Sequence, residues 1–230
     1  ALSQSSFIHV RNGRKPIEHS CFNESYAAQA TTSPLYAMAA SNEMSAAMME
    51  GPGGRALLDE VLLEAVHFRK ALAKAHAGFA QKGEWFFEPW NAPTVTDPGS
   101  GETYDFAEAP DELLVNEPAC WTLKADEDWH GFDGLPDDWC LLDPVKPGIL
   151  SPGMGMDGKM AATGVPAAVV ASYLEARGII PSRTTDFMIL PLFSIGVTKG
   201  RSSSLINALF NFNEDYDDSL GLEHVLPKLV

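Results

Sequence analysis

Between Leu58 and Phe79 the apolar residues Leu58, Val61, Leu62, Ala65, Phe68, Leu72, Ala75 and Phe79 recur mostly at steps of three and four. That spacing sets them along one face of a helix with about 3.6 residues per turn. An apolar stripe of this length has to lie against a packed layer, so the remaining chain must supply elements to cover it. Gly78 and Gly83 lie near its end, and the helix reads as a connector between two packing units.

Upstream, Ser6 to Val10 reads as a short buried strand closed by a turn at Asn12-Gly13, and a polar stretch runs to Glu24. Ala30-Thr31-Thr32-Ser33-Pro34-Leu35-Tyr36 then leads into a helix rich in Ala and Met that stops at Gly51-Pro52-Gly53-Gly54. Hydroxyl residues at a helix start have two readings. They cap the first N–H groups, which is the commoner case, or they join those groups in holding an anion such as a phosphate. Small residues at 37, 39, 40, 46 and 47 suit close backbone approach, so this helix is expected at a subunit contact.

Downstream, Trp85 to Trp90 is aromatic and strand-like, and an acidic insert at about 91–118 carries a turn signal at Thr96 to Gly101. Cys120 to Leu123, Cys140 to Leu142 and Val145 to Leu150 are strand candidates, the last weakened by Pro147 and Gly148. Pro166 opens a helix through Arg177 that Gly178 ends. Phe187 to Phe193 reads as a buried strand interrupted by Pro191, and Ser202-Ser203-Ser204 caps a last helix. Strands and helices mix without a regular βαβ rhythm, which predicts an α+β fold.

Sixteen Lys and Arg against 31 Asp and Glu give a net charge of −15, which argues against nucleic acid or an anionic membrane as partner. Such a surface repels itself until its carboxylates protonate, so assembly favoured by acid is plausible. Cys21, Cys120 and Cys140 are odd in number and lack C-x-x-C spacing, so neither a disulfide framework nor a metal site is indicated, and a reducing, cytoplasmic setting fits. No apolar run reaches the roughly 18 residues of a membrane span, and no signal peptide is visible. Gly153-Met154-Gly155-Met156-Asp157-Gly158 follows neither a dinucleotide nor a P-loop pattern and reads as a loop. Two residues stand out for chemistry. His130, within Asp128-Trp129-His130-Gly131-Phe132, is packed or catalytic, and Asp186 is a strand-end residue or a partner for a cationic ligand.

The runs Leu2 to Val10, Phe22 to Tyr26 and Ala30 to Tyr36 resemble the bacterial ornithine/lysine/arginine decarboxylases, which are fold-type-I pyridoxal-phosphate enzymes with the aspartate-aminotransferase architecture. The likeness continues through Trp129 to Phe132, Leu142 to Lys146, Pro152 to Met154, Gly164 to Ala167 and Leu192 to Gly196. The insert and Arg183 to Phe187 look most like the inducible, biodegradative arginine branch. The resemblance implies that residues 1–84 are the end of a pyridoxal-phosphate domain and that 85–230 form a small α+β domain. It implies conversion of arginine to agmatine and CO2, in a homodimer or a decamer of dimers linked to acid resistance, and a small basic amino acid as substrate. It places Thr31, with Thr32 and Ser33, across the dimer interface on the partner's cofactor phosphate. The lysine that binds the cofactor is expected in a Ser-x-His-Lys motif just before the counterpart of Ala1, so this chain alone is expected to be inactive. The alternative is a non-catalytic interaction module that pairs with a full-length decarboxylase. Gln29, Pro147-Gly148, Pro191 and Asn213-Glu214 depart from the family pattern.

Overall fold

The computed structural model describes residues 7–30, 33, 35–125, 127–156, 158–197 and 199–227. By contact they divide into two units, residues 1–57 and 58–230. The boundary expected between 84 and 85 falls inside the second of these.

In the first unit, residues 7–10 form no strand, and Phe7 and Ile8 are exposed. A lone extended segment gains nothing without a ladder partner. The polar stretch that follows is instead helix α1, His19–Gln29, which buries none of its residues. Phe22 and Tyr26 stack along it with ring centroids 6.4 Å apart, an i,i+4 pair of the kind that supports a solvated helix. Helix α2 covers Tyr36–Met49 and helix α3 covers Gly51–Ala80. Only Glu50 separates them, so the glycine cluster opens α3 rather than ending in a loop. Gly51 takes φ 73°, which glycine alone adopts cheaply, and Pro52 falls in the first turn, where its missing N–H costs nothing. A Cβ at Gly54 would stand 2.2 Å from the Met49 carbonyl oxygen, so only glycine permits this corner.

In the second unit a four-stranded antiparallel sheet runs β1 (Glu88–Trp90), β4 (Gly148–Leu150), β6 (Met188–Leu190), β5 (Arg183–Thr184). Glu88 lies opposite Leu150, and Ile149 lies opposite Ile189. Gly148 does not break β4. A Cβ there would meet Met188 Sδ at 2.8 Å and Trp90 Cβ at 3.2 Å, so the glycine lets its neighbours close over the strand. Pro191 ends β6, as its missing donor requires. Helix α5, Ala167–Ala176, starts after Pro166 and stops before Gly178 at φ 77°. Helix α6 runs Lys199–Asp217, and a short α7, Leu222–Val225, follows. Ser202 therefore lies inside α6 instead of capping it. It is buried and donates to the Glu64 carboxylate of α3.

The main core joins the stripe of α3 to this sheet and to α5 and α6. Ala65, Phe68 and Leu72 are buried with Phe87, Ile149, Leu174 and Leu209. Burying a Phe or Leu side chain stabilises by about 1.5–3 kcal/mol each. Leu58, expected on the stripe, is exposed. Phe86 lies 4.7 Å from both Phe79 and Phe210, closing the end of the core. The acidic insert builds a second cluster, in which Val66 of α3 meets Val95, Phe106, Leu114 and Trp121. Its turn is the hairpin of β2 (Thr94–Thr96) and β3 (Thr103–Asp105), held by Gly99 N–H and Ser100 Oγ donating to the Asp97 carboxylate at 2.8 Å. The helix α4, Asp111–Asn116, follows. Pro118–Trp121 is a 3₁₀ turn, not the expected strand, and only Thr122 pairs with Leu141.

Candidate functional site

Thr31 and Thr32 lie outside the described residues, whereas Ser33 is described and exposed. The N-cap of α2 is Leu35, whose apolar side chain cannot accept from the first-turn N–H groups. Ser33 thus lies ahead of the cap position rather than on it. Around it α2 is solvated. Tyr36 is 84% exposed, and Met44 and Met48 are exposed as well. The small residues Ala37, Ala39, Ala40, Ala46 and Ala47 also face solvent in this chain.

His130 ends the 3₁₀ turn Asp128–His130, which Gly131 terminates at φ 68°. It is 5% exposed. Phe132 N–H donates to its Nδ1 at 3.1 Å, so the proton is on Nε2, which donates to the Lys124 carbonyl at 2.9 Å. Phe132 stacks on the ring with centroids 5.6 Å apart. Both nitrogens therefore face backbone groups, and the ring organises the loop from Lys124 to Phe132. Asp186 is exposed in the turn between β5 and β6. Its backbone carbonyl accepts from Ala167 N–H at 3.0 Å, and Thr185 Oγ1 closes the turn by accepting from Met188 N–H at 3.1 Å. No hydrogen bond, ion pair or ring contact among the described residues joins His130 to Asp186.

A buried charge was not singled out in the sequence. Arg69 is fully buried on α3, one residue beyond Phe68. Its guanidinium donates through Nε to Pro144 O at 3.1 Å, through Nη2 to Asp143 O at 3.0 Å and through Nη1 to Trp90 O at 3.4 Å. Its carbon lies 5.3 Å from the Trp121 ring centroid. Burial lowers its pKa to about 9, with the Asp143 charge opposing, so it stays protonated at neutral pH. Five N–H donors in a rigid fork suit three carbonyls from two segments, which a lysine cannot span. The nearby cation Lys70 donates to Ala109 O and to Asp111, which also meets His67 Nε2 at 2.8 Å. The apolar spacing of α3 gave no hint of these, because carbonyl partners carry no residue identity. Among the described residues no three His, Cys, Asp or Glu side chains converge as a metal site requires, and no helix is long and apolar enough to cross a membrane.

The architecture is that of solved amino-acid decarboxylases. The structure of Escherichia coli constitutive lysine decarboxylase matches with a TM-score of 0.74 at 36% identity, over 94% of this chain and 27% of that one. Lysine decarboxylase A from Pseudomonas aeruginosa matches with 0.75 at 36% identity, over the same shares. Sequence narrows the class to a family. The family model described as Orn/Lys/Arg decarboxylase, major domain, matches residues 1–201, and the chain belongs to that family. The biodegradative arginine decarboxylase of Escherichia coli K12 is 52% identical over all of this chain and 30% of its own length. The inducible lysine decarboxylase of the same organism is 36% identical over all of this chain and 28% of its length. The chain thus spans under a third of the curated relatives it matches. The family and the α+β fold expected from the motifs are both borne out.

Proposed function

We propose that this chain is part of a pyridoxal-phosphate-dependent decarboxylase that converts arginine to agmatine and CO2. The observation that carries the reading is the 52% identity with an arginine decarboxylase, against 36% with a lysine decarboxylase over the same residues. When bound, the cofactor supplies an electron sink for the pair left by the departing carboxylate. This chain's part is to hold the phosphate. The segment from Thr31 to Ser33 supplies hydroxyl donors, and α2 supplies first-turn N–H groups and the positive end of its dipole. The fit rests on Leu35, a cap position with no side chain competing for those N–H groups. The exposed Tyr36, Met44 and Met48 are the surface a second subunit would cover, which supports a homodimer with the phosphate site shared across it. His130 and Asp186 take structural roles in this reading, because one is tied to backbone at both nitrogens and the other is a solvated turn residue. The cytoplasm is the compartment that free cysteines fit.

A chimaera tests this. The chain replaces its matching portion in the Escherichia coli arginine decarboxylase, and CO2 release is measured from arginine, lysine and ornithine. Arginine is expected to be preferred, and Thr31→Ala is expected to weaken pyridoxal phosphate by about tenfold, the loss of one charge-assisted hydrogen bond. A folded chimaera that prefers lysine refutes the substrate. One that assembles but releases no CO2 favours the alternative, an interaction module for a full-length decarboxylase, for which the same exposed face of α2 speaks.

A further inference from the structure

Helix α6 carries a different surface at each of its ends. Beside its first turns lies a groove of about 540 Å³, shared with the residues that follow α5 and β6. Ile179, Ile180, Leu192 and Leu205 give it apolar walls, and Arg177 and Arg201 give it positive charge. Ile180 is 80% exposed, and Leu192 is exposed as well. Arg177 is already engaged, with its guanidinium carbon 3.3 Å from the Tyr173 ring centroid and Nη2 3.4 Å from Asp215. Arg201 is exposed and makes no ion pair among the described residues. A third cation, Arg183, stands in register with Leu190, next to the groove residue Pro191. Two carboxylates touch the lining, and both are taken: Asp215 by Arg177 and Tyr173, and Glu64 by Ser202.

The far end of α6 has the opposite sign. The turn over residues 217–223 holds Asp217, Asp218 and Glu223, and it exposes Leu220 and Leu222. It is firmly built. Leu220 N–H donates to Asp215 O and Ser219 N–H to Tyr216 O, each at 3.0 Å, the paired bonds that close a helix through a left-handed residue. Ser219 takes that conformation at φ 56°. Beyond the turn, Leu226 is buried in the main core. Trp85 Nε1 donates to Asp217 at 2.8 Å, and His224 stands 3.5 Å from Glu223. Asp218 is exposed and makes no ion pair among the described residues. Two leucines fixed at a surface can be covered by a partner with little ordering cost.

We propose that the 217–223 turn of one copy docks into the Arg201 groove of a second copy. The signs oppose, and Leu220 and Leu222 match the aliphatic walls. The occupant cannot be the copy's own turn. At 1.5 Å per residue, Ser202 and Asp217 lie about 22 Å apart along one rigid helix. A net charge of −15 makes copies repel at large, but salt screens that repulsion beyond about 8–10 Å. A local positive groove is where an acidic surface can be met. The contact joins unlike ends, so a pair keeps one free groove and one free turn, and association runs past two copies. It uses neither the cofactor, the arginine preference nor the exposed face of α2, so it stands or falls apart from the decarboxylase reading.

The test is sedimentation velocity on the full chain from about 10 µM to about 1 mM, where a contact of a few side chains shows. Wild type is compared with Arg201→Glu, Asp218→Arg and the chain carrying both. Helix α2 is intact in all four, so any association through it is a constant background. Both reversals suit the dipole of α6, and melting temperatures confirm folding. The weight-average mass of the wild type is expected to rise past a pair with concentration. Each single reversal is expected to weaken association about tenfold, and the double variant to restore it. Leu222→Ser, which changes no charge, is expected to weaken it by a similar factor, and it decides alone if a reversed variant does not fold. A wild-type mass that stays constant or stops at a pair overturns the proposal. So does wild-type association in any single variant. A double variant no stronger than the singles overturns it too, because the two ends then do not meet.

Discussion

Replacing Arg69 by methionine isolates what the buried guanidinium does. Methionine keeps an unbranched apolar stem of similar reach, so the packing around Phe68 and Trp121 is largely retained while all five donors vanish. The carbonyls of Asp143 and Pro144, held at 3.0 and 3.1 Å, then lose charged donors. Hydrogen bonds to a charged group contribute about 1.5–3 kcal/mol each. The Trp90 carbonyl at 3.4 Å is a longer contact and adds little. Against this, the variant no longer holds a desolvated cation, and exchanging buried charges for apolar groups is sometimes favourable by about 1–4 kcal/mol. Here the bonds win, because Pro144 O gives up a charged donor and Asp143 O keeps only the Lys146 N–H at 3.2 Å. The net loss comes to about 3 kcal/mol. At about 2–4 °C per kcal/mol for a domain of roughly 150–250 residues, the melting temperature drops by about 6–12 °C. Urea unfolding followed by tryptophan fluorescence reads it directly, since Trp90 and Trp121 both touch the guanidinium. An Arg69→Met protein within about 1 kcal/mol of wild type, or more stable, would refute the claim that the fork holds residues 143–144 against α3.

Other perturbations follow from the same geometry. Gly54→Ala places a Cβ 2.2 Å from a backbone oxygen, which no rotamer relieves, so the corner between α2 and α3 has to open. Hydrogen exchange in α2 is expected to rise sharply in that variant, and wild-type exchange there would contradict the close approach. Burial first, and then the hydrogen bond to Asp215, hold the Tyr173 phenol well above its ordinary value of 10, with Arg177 pulling the other way. A raised pKa stabilises fully below the unfolded value and is lost as pH climbs through the folded one. Tyr173→Phe is therefore expected to flatten the fall in stability above about pH 10, compared by urea midpoints at two alkaline pH values. An unchanged slope would count against it.

What could be read from the residues was whatever repeats at the period of its own element. The face of α3 was legible because Ala65, Phe68 and Leu72 advertise it within a single helix. The limits of α5 were legible because proline and glycine act locally. Helix α1 was not, since it buries nothing and so carries no stripe. Ser202 was misplaced because a serine run near a helix start resembles a cap, and its true partner, Glu64, is 138 residues away. For the candidate site, the segment around Thr31 could be named from the resemblance but not from spacing, since hydroxyls before a helix serve capping and anion binding alike. Asn213, a departure from the family pattern, turns out to be buried and to donate to the Trp85 carbonyl at 3.2 Å, a link no local pattern announces.

The four-stranded sheet ends in strands that refuse extension. β1 is three residues with Pro89 at its centre, and β5 is two residues, one of them Arg183. A proline lacks the donor an incoming strand needs, and a two-residue rim with a charge offers almost no template. Strand addition at the rims of this four-stranded sheet is thereby disfavoured. A partner that meets this sheet finds no rim to extend and has to engage the helices and loops around it.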